Sequence, residues 1–266
     1  MDILLTLKAV IMGLVEGATE FLPISSTGHL IITADLLNFL SKEKRDVFEI
    51  IIQLGAILAV CFEFRKRLIN TATHLADASS QGFVLNLLIA FLPAAMLGLA
   101  FHDAIKQYLF SPVTVAIALI IGGFVILFIE KLALKPVTHT IETITPKQAL
   151  KIGLAQSLAL VPGVSRAGAT ILGGMVSGLN RQIATEFSFF LALPIMFAAT
   201  GYDLLKSWRL LDSADVGIFL AGFVTAFLSA LLVIKVLIKY VANHDFTAFA
   251  WYRIIFGALV LAYYWN

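Results

Sequence analysis

The stretch EGATEFLPISSTGH, from Glu16 to His29, decides the fold of this chain. Its carboxylates, serines, threonine and histidine stand between two apolar runs of the kind that lie in a bilayer. An ionisable side chain at the centre of a membrane helix costs about 2.5–3.5 kcal/mol on insertion, and such residues are usually functional. Pro23 interrupts the helix because it lacks an N–H and restricts the residue before it. The stretch therefore predicts a hairpin of two short helices, with a buried turn, that returns to the side it entered.

The rest of the chain has the composition of a membrane protein. Of its 266 residues, 60% are hydrophobic and 14% are charged, and the mean hydropathy is +0.94. Soluble domains carry about 25% charged residues. The formal net charge of +2 gives no indication of nucleic-acid binding, and a single cysteine, Cys61, excludes an intramolecular disulfide. We predict a single all-α polytopic membrane domain over residues 1–266.

Long apolar runs predict six full membrane spans. They cover about 47–64, 83–101 and 113–129 in the first half, and about 183–205, 217–238 and 246–264 in the second. A polar loop is expected at 65–81, a short turn at 102–112, and the longest polar connector at 131–147.

A second broken stretch, PGVSRAGAT from Pro162 to Thr170, opens the second half. Ser165 is expected to cap a helix there, and Ser25 is expected to do the same in the first hairpin. At an offset of 140 residues the two halves pair Gly13 with Gly153, Glu16 with Gln156, Ser25 with Ser165 and Gly28 with Gly168. Each half has an odd number of full crossings, so we predict an inverted repeat, about 1–130 and about 147–266, each half being a re-entrant hairpin plus three transmembrane helices.

Basic residues are more numerous on one predicted side of the membrane. They are Arg65, Lys66, Arg67, Lys131, Lys135, Lys147, Lys151, Arg181 and Lys239. By the positive-inside rule this side faces the cytoplasm. Both termini and the mouth of the first hairpin are then predicted to lie outside.

The second helix of each hairpin begins near the middle of the membrane. Its free N–H groups favour an anion, and Arg166 adds a planar, permanently charged group suited to phosphate oxygens. We therefore predict a phosphate or pyrophosphate ligand. The expected phosphate-binding residues are Ser25, Thr27, Gly28, Ser165, Arg166, Gly168 and Thr170.

Glu16 and Glu20 are four residues apart and share one helix face. Two carboxylates would repel a polyphosphate unless a cation lay between them or one were protonated. We predict that they bind a divalent metal, Mg²⁺ first and Ca²⁺ as the alternative. Glu49, Gln53 and Glu186, on later spans, are expected to support the site from behind or to form interhelical hydrogen bonds.

Ser26 and His29 lie three residues apart on the second helix of the first hairpin. We predict Ser26 as nucleophile and His29 as its acid/base partner, with Glu20 and Arg166 completing the catalytic group. Attack by His29 itself, or by water with Glu20 as base, is left open. A transporter or flippase for a phosphorylated polyprenyl lipid is the alternative function, because inverted repeats with broken helices are a transporter architecture.

Both stretches resemble the signatures of the undecaprenyl-diphosphatase family, also called bacitracin-resistance proteins. FEIIIQLGAILAV (48–60) and EFSFFLALP (186–194) are also similar to that family, so the resemblance covers nearly the whole chain. Ala167 stands where the family normally has serine, which leaves the role of a hydroxyl there open.

This resemblance implies a bacterial inner-membrane enzyme with a site open to the periplasm. It would hydrolyse undecaprenyl pyrophosphate to undecaprenyl phosphate and inorganic phosphate, recycling the lipid carrier for cell-wall synthesis. The expected partners are a polyprenyl pyrophosphate substrate and the bilayer, with no nucleic acid. A homodimer is left open.

Overall fold

The computed structural model describes residues 2–132, 134–207 and 215–265, without the side chains of His102 and Lys106. Within these ranges the chain forms eleven α-helices and no β-strand. They are α1 (Ile3–Thr19), α2 (Ser26–Leu37), α3 (Lys42–Glu63), α4 (Arg65–Thr73), α5 (Ala78–Leu109), α6 (Pro112–Lys131), α7 (Pro146–Ser157), α8 (Arg166–Val176), α9 (Arg181–Ser207), α10 (Val216–Val241) and α11 (Thr247–Tyr264).

In this part of the chain, five helices are long and apolar enough to cross a membrane, namely α5, α6, α9, α10 and α11. The pair α3 and α4, bent by 71° at the break between them, passes the same test and raises the number to six. These helices overlap the six apolar runs predicted from the sequence. The predicted all-α polytopic membrane fold is confirmed.

Two segments predicted to be a loop and a turn are partly helical. The 65–81 segment contains α4, and one polar residue of this helix is anchored to a distant part of the chain. Arg67 of this helix pairs with Glu142 at 2.7 Å and lies 4.9 Å from the ring centre of Phe83. The predicted turn at 102–112 is largely helical, since α5 continues to Leu109 through a segment without glycine or proline.

Close backbone approach joins the two halves of the chain. α1 packs on α10, and a Cβ atom on Gly13 would lie 2.3 Å from the carbonyl oxygen of Gly222. α7 packs on α5 in a similar way, with the Cβ position of Gly153 lying 2.5 Å from the carbonyl oxygen of Ala90. Small residues allow such contacts between membrane helices. Gly13 and Gly153, one of the sequence-matched pairs, therefore have the same packing role.

The remaining large contacts pair α3 with α9, α3 with α10, and α6 with α11. Both helix breaks lie inside this arrangement. Phe21, in the first break, is fully buried and meets Phe189 of α9 edge-on, with ring centres 5.6 Å apart. The outward faces of the spans carry exposed apolar side chains such as Phe128 and Leu228, as expected for contact with lipid.

Candidate functional site

Two serines in the same unusual conformation mark the two helix breaks. Ser25 precedes α2 with a φ of 68°, and Ser165 precedes α8 with a φ of 75°. This left-handed region is uncommon for residues other than glycine and costs about 1–3 kcal/mol. Ser165 donates a hydrogen bond to the carbonyl oxygen of Leu22 at 3.4 Å, so the two breaks are in direct contact.

The predicted helix caps have different outcomes at these serines. Ser165 caps α8 as predicted, because its Oγ accepts a hydrogen bond from the Gly168 N–H at 3.0 Å. The cap predicted at Ser25 is wrong, since its side chain makes no capping bond within the described residues of α2. The Gly168 N–H, predicted to bind phosphate, is therefore already occupied.

Glu20 connects the two breaks through its side chain. Ser26, the first residue of α2, donates from Oγ to Glu20 Oε2 at 2.5 Å. Arg166, the first residue of α8, donates from Nη2 to Glu20 Oε1 at 3.1 Å. The ion pair is nearly buried, with 7% of the Glu20 side chain and 13% of the Arg166 side chain exposed. Three of the four predicted catalytic residues therefore meet, although 146 residues separate the two ions along the chain.

α9 holds the other side of the Arg166 guanidinium. Nη1 donates to the carbonyl oxygen of Ser188 at 3.1 Å, and the guanidinium carbon lies 5.6 Å from the ring centre of Phe21. Thr170 and Ser188 join their hydroxyls at 2.6 Å, and the Thr170 hydroxyl also donates to the Arg166 carbonyl oxygen. The prediction of Thr170 as a phosphate ligand is therefore not supported by its geometry, because its hydroxyl is engaged with α8 and α9.

A cavity of about 180 Å³ opens beside the Glu20–Arg166 pair. Its lining includes Glu20, Ser25, Ser26, Thr27, Gln53 and Arg166. The predicted nucleophile, the predicted phosphate-binding arginine and a carboxylate thus face one space. Gln53, expected behind the site, lines the cavity itself.

A larger cavity of about 260 Å³ lies elsewhere, where α6 ends and α9 begins. Its charged residues are Glu130 and Arg181, which form an ion pair with each other. The backbone N–H of Phe246 also donates to Glu130 at 2.9 Å. Among the described residues, the lining of this larger cavity includes no serine, threonine or histidine, whereas the smaller one has Ser26 beside Glu20, so the smaller cavity is the better candidate for chemistry.

Glu16 lies one helical turn before Glu20 and is 1% exposed. Its Oε1 has no hydrogen-bond partner among the described residues. By contrast, both carboxylate oxygens of Glu20 accept hydrogen bonds. Within the described part of the chain, no group of three histidine, cysteine or acidic side chains is placed to hold a metal. Of the two predicted metal ligands, Glu16 has the available oxygen.

His29 was predicted to contact Ser26, but the structure shows other partners for it. Its Nδ1 lies 2.7 Å from the carbonyl oxygen of Ser25, and its Nε2 lies 2.6 Å from the hydroxyl of Tyr252 on α11. The imidazole also stacks on Phe256, with ring centres 4.2 Å apart. Both nitrogens are therefore engaged, and the hydroxyl of Ser26 is paired with Glu20 instead.

Three other predicted residues have distinct positions. Gly28 packs on α6, where a Cβ atom would lie 3.1 Å from Val115 and from Leu119. Glu49, half-buried on α3, is close enough to Glu16 to act on it electrostatically. Glu186 accepts a hydrogen bond from Gln182 at 3.0 Å on an exposed surface, so Ser188, two residues later, supports Arg166 in its place.

Arg253 of α11 is a central residue that the sequence analysis missed. It is 1% exposed. Its guanidinium donates to five carbonyl oxygens at 2.9–3.2 Å, which belong to Pro23, Ala118, Leu119, Gly163 and Val164. These carbonyls come from both helix breaks and from α6. An arginine within an apolar span was the signal that could have identified it.

The sequence is similar to those of known proteins over nearly its whole length. The family model described as "Bacitracin resistance protein BacA" matches residues 9–259. An undecaprenyl-diphosphatase of Methylobacillus flagellatus is 63% identical, with all of both chains covered. "Undecaprenyl-diphosphatase 2" of Rhodospirillum rubrum is 58% identical, and an undecaprenyl-diphosphatase of Laribacter hongkongensis is 56% identical, each alignment covering all of this chain and 97% of the relative.

The family match spans both helix breaks, all of α2 to α10 and most of α1 and α11. It therefore includes the Glu20–Ser26–Arg166 cluster and Arg253. From this match, and from relatives aligned over the whole chain, the protein belongs to the bacitracin resistance protein BacA family.

Proposed function

We propose that this chain is an undecaprenyl-diphosphatase. It hydrolyses undecaprenyl pyrophosphate to undecaprenyl phosphate and inorganic phosphate, which recycles the lipid carrier for cell-wall synthesis. The names and full-length identity of the relatives support this assignment. The single observation that carries it is the buried cluster of Glu20, Ser26 and Arg166 beside one cavity.

Ser26 is the proposed nucleophile. Its Oγ transfers a proton to Glu20, 2.5 Å away, as the oxygen attacks the terminal phosphorus. The bond from this phosphorus to the bridging oxygen breaks, undecaprenyl phosphate leaves with the bonding electrons, and the phosphoryl group stays on Ser26. Water then cleaves the phosphoserine, and Glu20 returns the proton to Oγ. In the alternative mechanism, water attacks directly with Glu20 as base, and Ser26 only binds substrate.

Arg166 is the proposed ligand of the terminal phosphate. Its guanidinium lines the cavity and has one edge held by Ser188. The other edge of the guanidinium, which binds Glu20, would also bind a phosphate that enters the cavity. Because a guanidinium presents several donors in one plane, it can bind two phosphate oxygens together and hold them in line for attack. Thr27, also on the cavity wall, is proposed to bind a further phosphate oxygen.

A divalent metal, Mg²⁺ or Ca²⁺, is proposed to bind at Glu16. The unpartnered Oε1 of this buried carboxylate can serve as one ligand, and Mg²⁺ commonly takes one or two carboxylates together with substrate phosphates. When bound, the ion would offset the phosphate charge that faces the carboxylates. Glu20 is better suited to proton transfer, because both of its oxygens are engaged by Ser26 and Arg166.

We further propose an inner-membrane location, with both termini and the cavity mouth on the periplasmic side. The distribution of basic residues supports this orientation. The reciprocal packing of α1 on α10 and of α7 on α5 supports the inverted repeat. The shared conformation of Ser25 and Ser165 supports it independently. The homodimer stays a prediction.

The test is phosphate release from undecaprenyl pyrophosphate by the purified protein in detergent. Hydrolysis needs one compartment, whereas transport needs two. We expect release by the parent protein, and its loss in excess chelator. A folded protein that releases no phosphate in detergent with Mg²⁺ or Ca²⁺ would contradict the enzyme assignment and favour the transporter.

A further inference from the structure

His29 is held between two hydrogen bonds that fix its tautomer. A backbone carbonyl can only accept, so the bond to Ser25 at 2.7 Å places the proton on Nδ1. Nε2 is then the acceptor for the Tyr252 hydroxyl at 2.6 Å in the neutral ring. The imidazole is 8% exposed and stacks on Phe256, an apolar setting that disfavours a charged ring.

The carbonyl that His29 binds belongs to the peptide that links Ser25 to Ser26. Ser25 is in the left-handed region, with φ at 68°, and its side chain makes no cap with the described part of α2. No serine cap among the described residues therefore supplies a restraint on this peptide. The Nδ1–H bond supplies one, and the orientation of this peptide determines where the Ser26 side chain points.

The second hairpin needs no such partner. Ser165 has a φ of 75°, and its own Oγ accepts from the Gly168 N–H at 3.0 Å. The residue that corresponds to His29 at the 140-residue offset is Ala169, which has no hydrogen-bonding side chain. A histidine thus occurs in the hairpin where the serine cap is missing.

We infer that His29 and Tyr252 are positioning residues. Tyr252 fixes the imidazole, and the imidazole fixes the Ser25–Ser26 peptide, so that the Ser26 hydroxyl lies against Glu20. Proton transfer from Ser26 goes to Glu20 and not to His29. This inference rests on the proposed attack by Ser26 and adds a role for α11 in it.

Three substitutions of His29 separate positioning from acid/base catalysis. His29→Asn keeps an N–H donor near the place of Nδ1, whereas His29→Gln moves it to the place of Nε2 and His29→Ala removes it. We expect His29→Asn to stay within about tenfold of the parental kcat, and the Gln and Ala variants to fall about 100-fold through misplacement of Ser26. KM and the shape of the pH–rate profile should be unchanged in all three.

Acid/base catalysis by His29 predicts a different result. It contributes about 10²–10⁴-fold, so the Asn and Gln variants would lose activity alike, and one limb of the pH–rate profile would disappear. Either observation in folded protein overturns the inference. Size-exclusion profiles and melting temperatures in detergent establish that each variant is folded.

Tyr252→Phe tests the same inference without changing His29. We expect a kcat about 3- to 10-fold below the parental value, with KM and the pH–rate profile unaltered. Because Tyr252 acts through the imidazole, the same change in the His29→Asn background should have no further effect. A parental kcat for Tyr252→Phe, or an equal loss in both backgrounds, overturns the role of Tyr252.

Failure of the proposed function would be distinguishable from failure of this inference. If the parent protein releases no phosphate, the function is wrong. If the parent is active and Ser26→Ala is too, the proposed nucleophile is wrong. If Ser26→Ala is inactive and the Asn and Gln variants of His29 are equally impaired, the positioning role alone is wrong.

Discussion

The two hairpins share one backbone arrangement and differ in the side chain that follows it. Each has a serine with a positive φ just before its second helix, at Ser25 and at Ser165. The next residue is Ser26 in the first hairpin and Arg166 in the second, so the proposed nucleophile and the proposed phosphate ligand occupy corresponding positions. Glu20 of the first hairpin binds both. The two hairpins thus have the same backbone conformation at this point, and the difference between their proposed roles lies in the side chain at one corresponding position.

The hairpins also differ in how they are held. The second is capped by its own Ser165, whereas the first depends on His29 and, through it, on Tyr252 of α11. Arg253, the next residue of α11, binds carbonyl oxygens in both breaks. Arg253 therefore supports both hairpins, and the hairpin that carries the proposed nucleophile depends in addition on His29 and Tyr252.

Ser26→Ala should have the largest effect on activity, because it removes the proposed nucleophile, the feature that most distinguishes the first hairpin from the second. We expect kcat to fall about a thousandfold or more, as for other nucleophiles. The measurement is phosphate release under saturating substrate. Ser157→Ala is the matched control, since the Ser157 hydroxyl bonds within its own helix to the Gly153 carbonyl at 3.2 Å. A Ser26→Ala variant that keeps a tenth or more of kcat, a loss of about 1.4 kcal/mol, would rule out the covalent route.

Arg166→Lys tests the corresponding position of the second hairpin. A lysine keeps the positive charge beside Glu20 but cannot reproduce a planar contact to two phosphate oxygens. We expect folded protein with about 100-fold lower kcat/KM. Arg65→Lys is the control, because Arg65 is exposed and bonds to the nearby Phe62 carbonyl at 2.7 Å. Hydrolysis at the parental rate by Arg166→Lys would remove the phosphate-binding role.

The helix breaks could be predicted because their signals are local. Pro23 and the Pro162–Gly163 pair interrupt apolar runs, and Glu20 and Arg166 are costly residues to place in a bilayer. These features identify both hairpins and the type of ligand before any contact is known. They do not show which side chains meet, since Glu20 reaches Ser26 across a turn whose path the sequence does not specify.

The contacts of the supporting residues could not be predicted, because they join distant parts of the chain. His29 and Tyr252 are 223 residues apart. A spacing of three suggested that His29 would face Ser26, but the ring turns back to the Ser25 carbonyl. Arg253 binds backbone carbonyls, and the sequence gives no indication of which carbonyls a fold will leave unpaired.

Arg253→Lys should weaken both hairpins together. A lysine has three donors for the five carbonyls that Arg253 binds, and each buried polar group left unpaired costs about 1–3 kcal/mol. We expect a lower melting temperature in detergent and a kcat about tenfold below the parental value. Arg67→Lys is the control, because its partly exposed pair with Glu142 should contribute about 0–1 kcal/mol. A parental melting temperature and a parental kcat in Arg253→Lys would show that the bonds of Arg253 do not hold the two hairpins in place.

Glu16→Gln tests whether the first hairpin binds a cation. The amide keeps the shape of the carboxylate and removes its charge, so half-maximal activation should require about tenfold more Mg²⁺. At saturating Mg²⁺ we expect kcat close to the parental value. Glu63→Gln is the control, since Glu63 pairs with Lys235 at 3.6 Å, away from the cavity. Full activity of the parent in excess chelator would contradict the metal role and leave Glu16 as a proton carrier or a partner of Arg166.

The smallest effects are expected on stability, at Ser25 and Ser165, the two serines that precede the second helices of the hairpins. Ser165→Ala removes the cap of α8, and loss of an N-cap costs about 1 kcal/mol of unfolding free energy. Ser25→Ala removes a hydroxyl that makes no cap with the described residues of α2, so its stability should be near parental. Melting in detergent measures both, and alanine at either position meets the same strain at positive φ. If Ser25→Ala destabilised the protein as much as Ser165→Ala, the two breaks would be held alike, and the proposed dependence of the first hairpin on His29 would lose its structural reason.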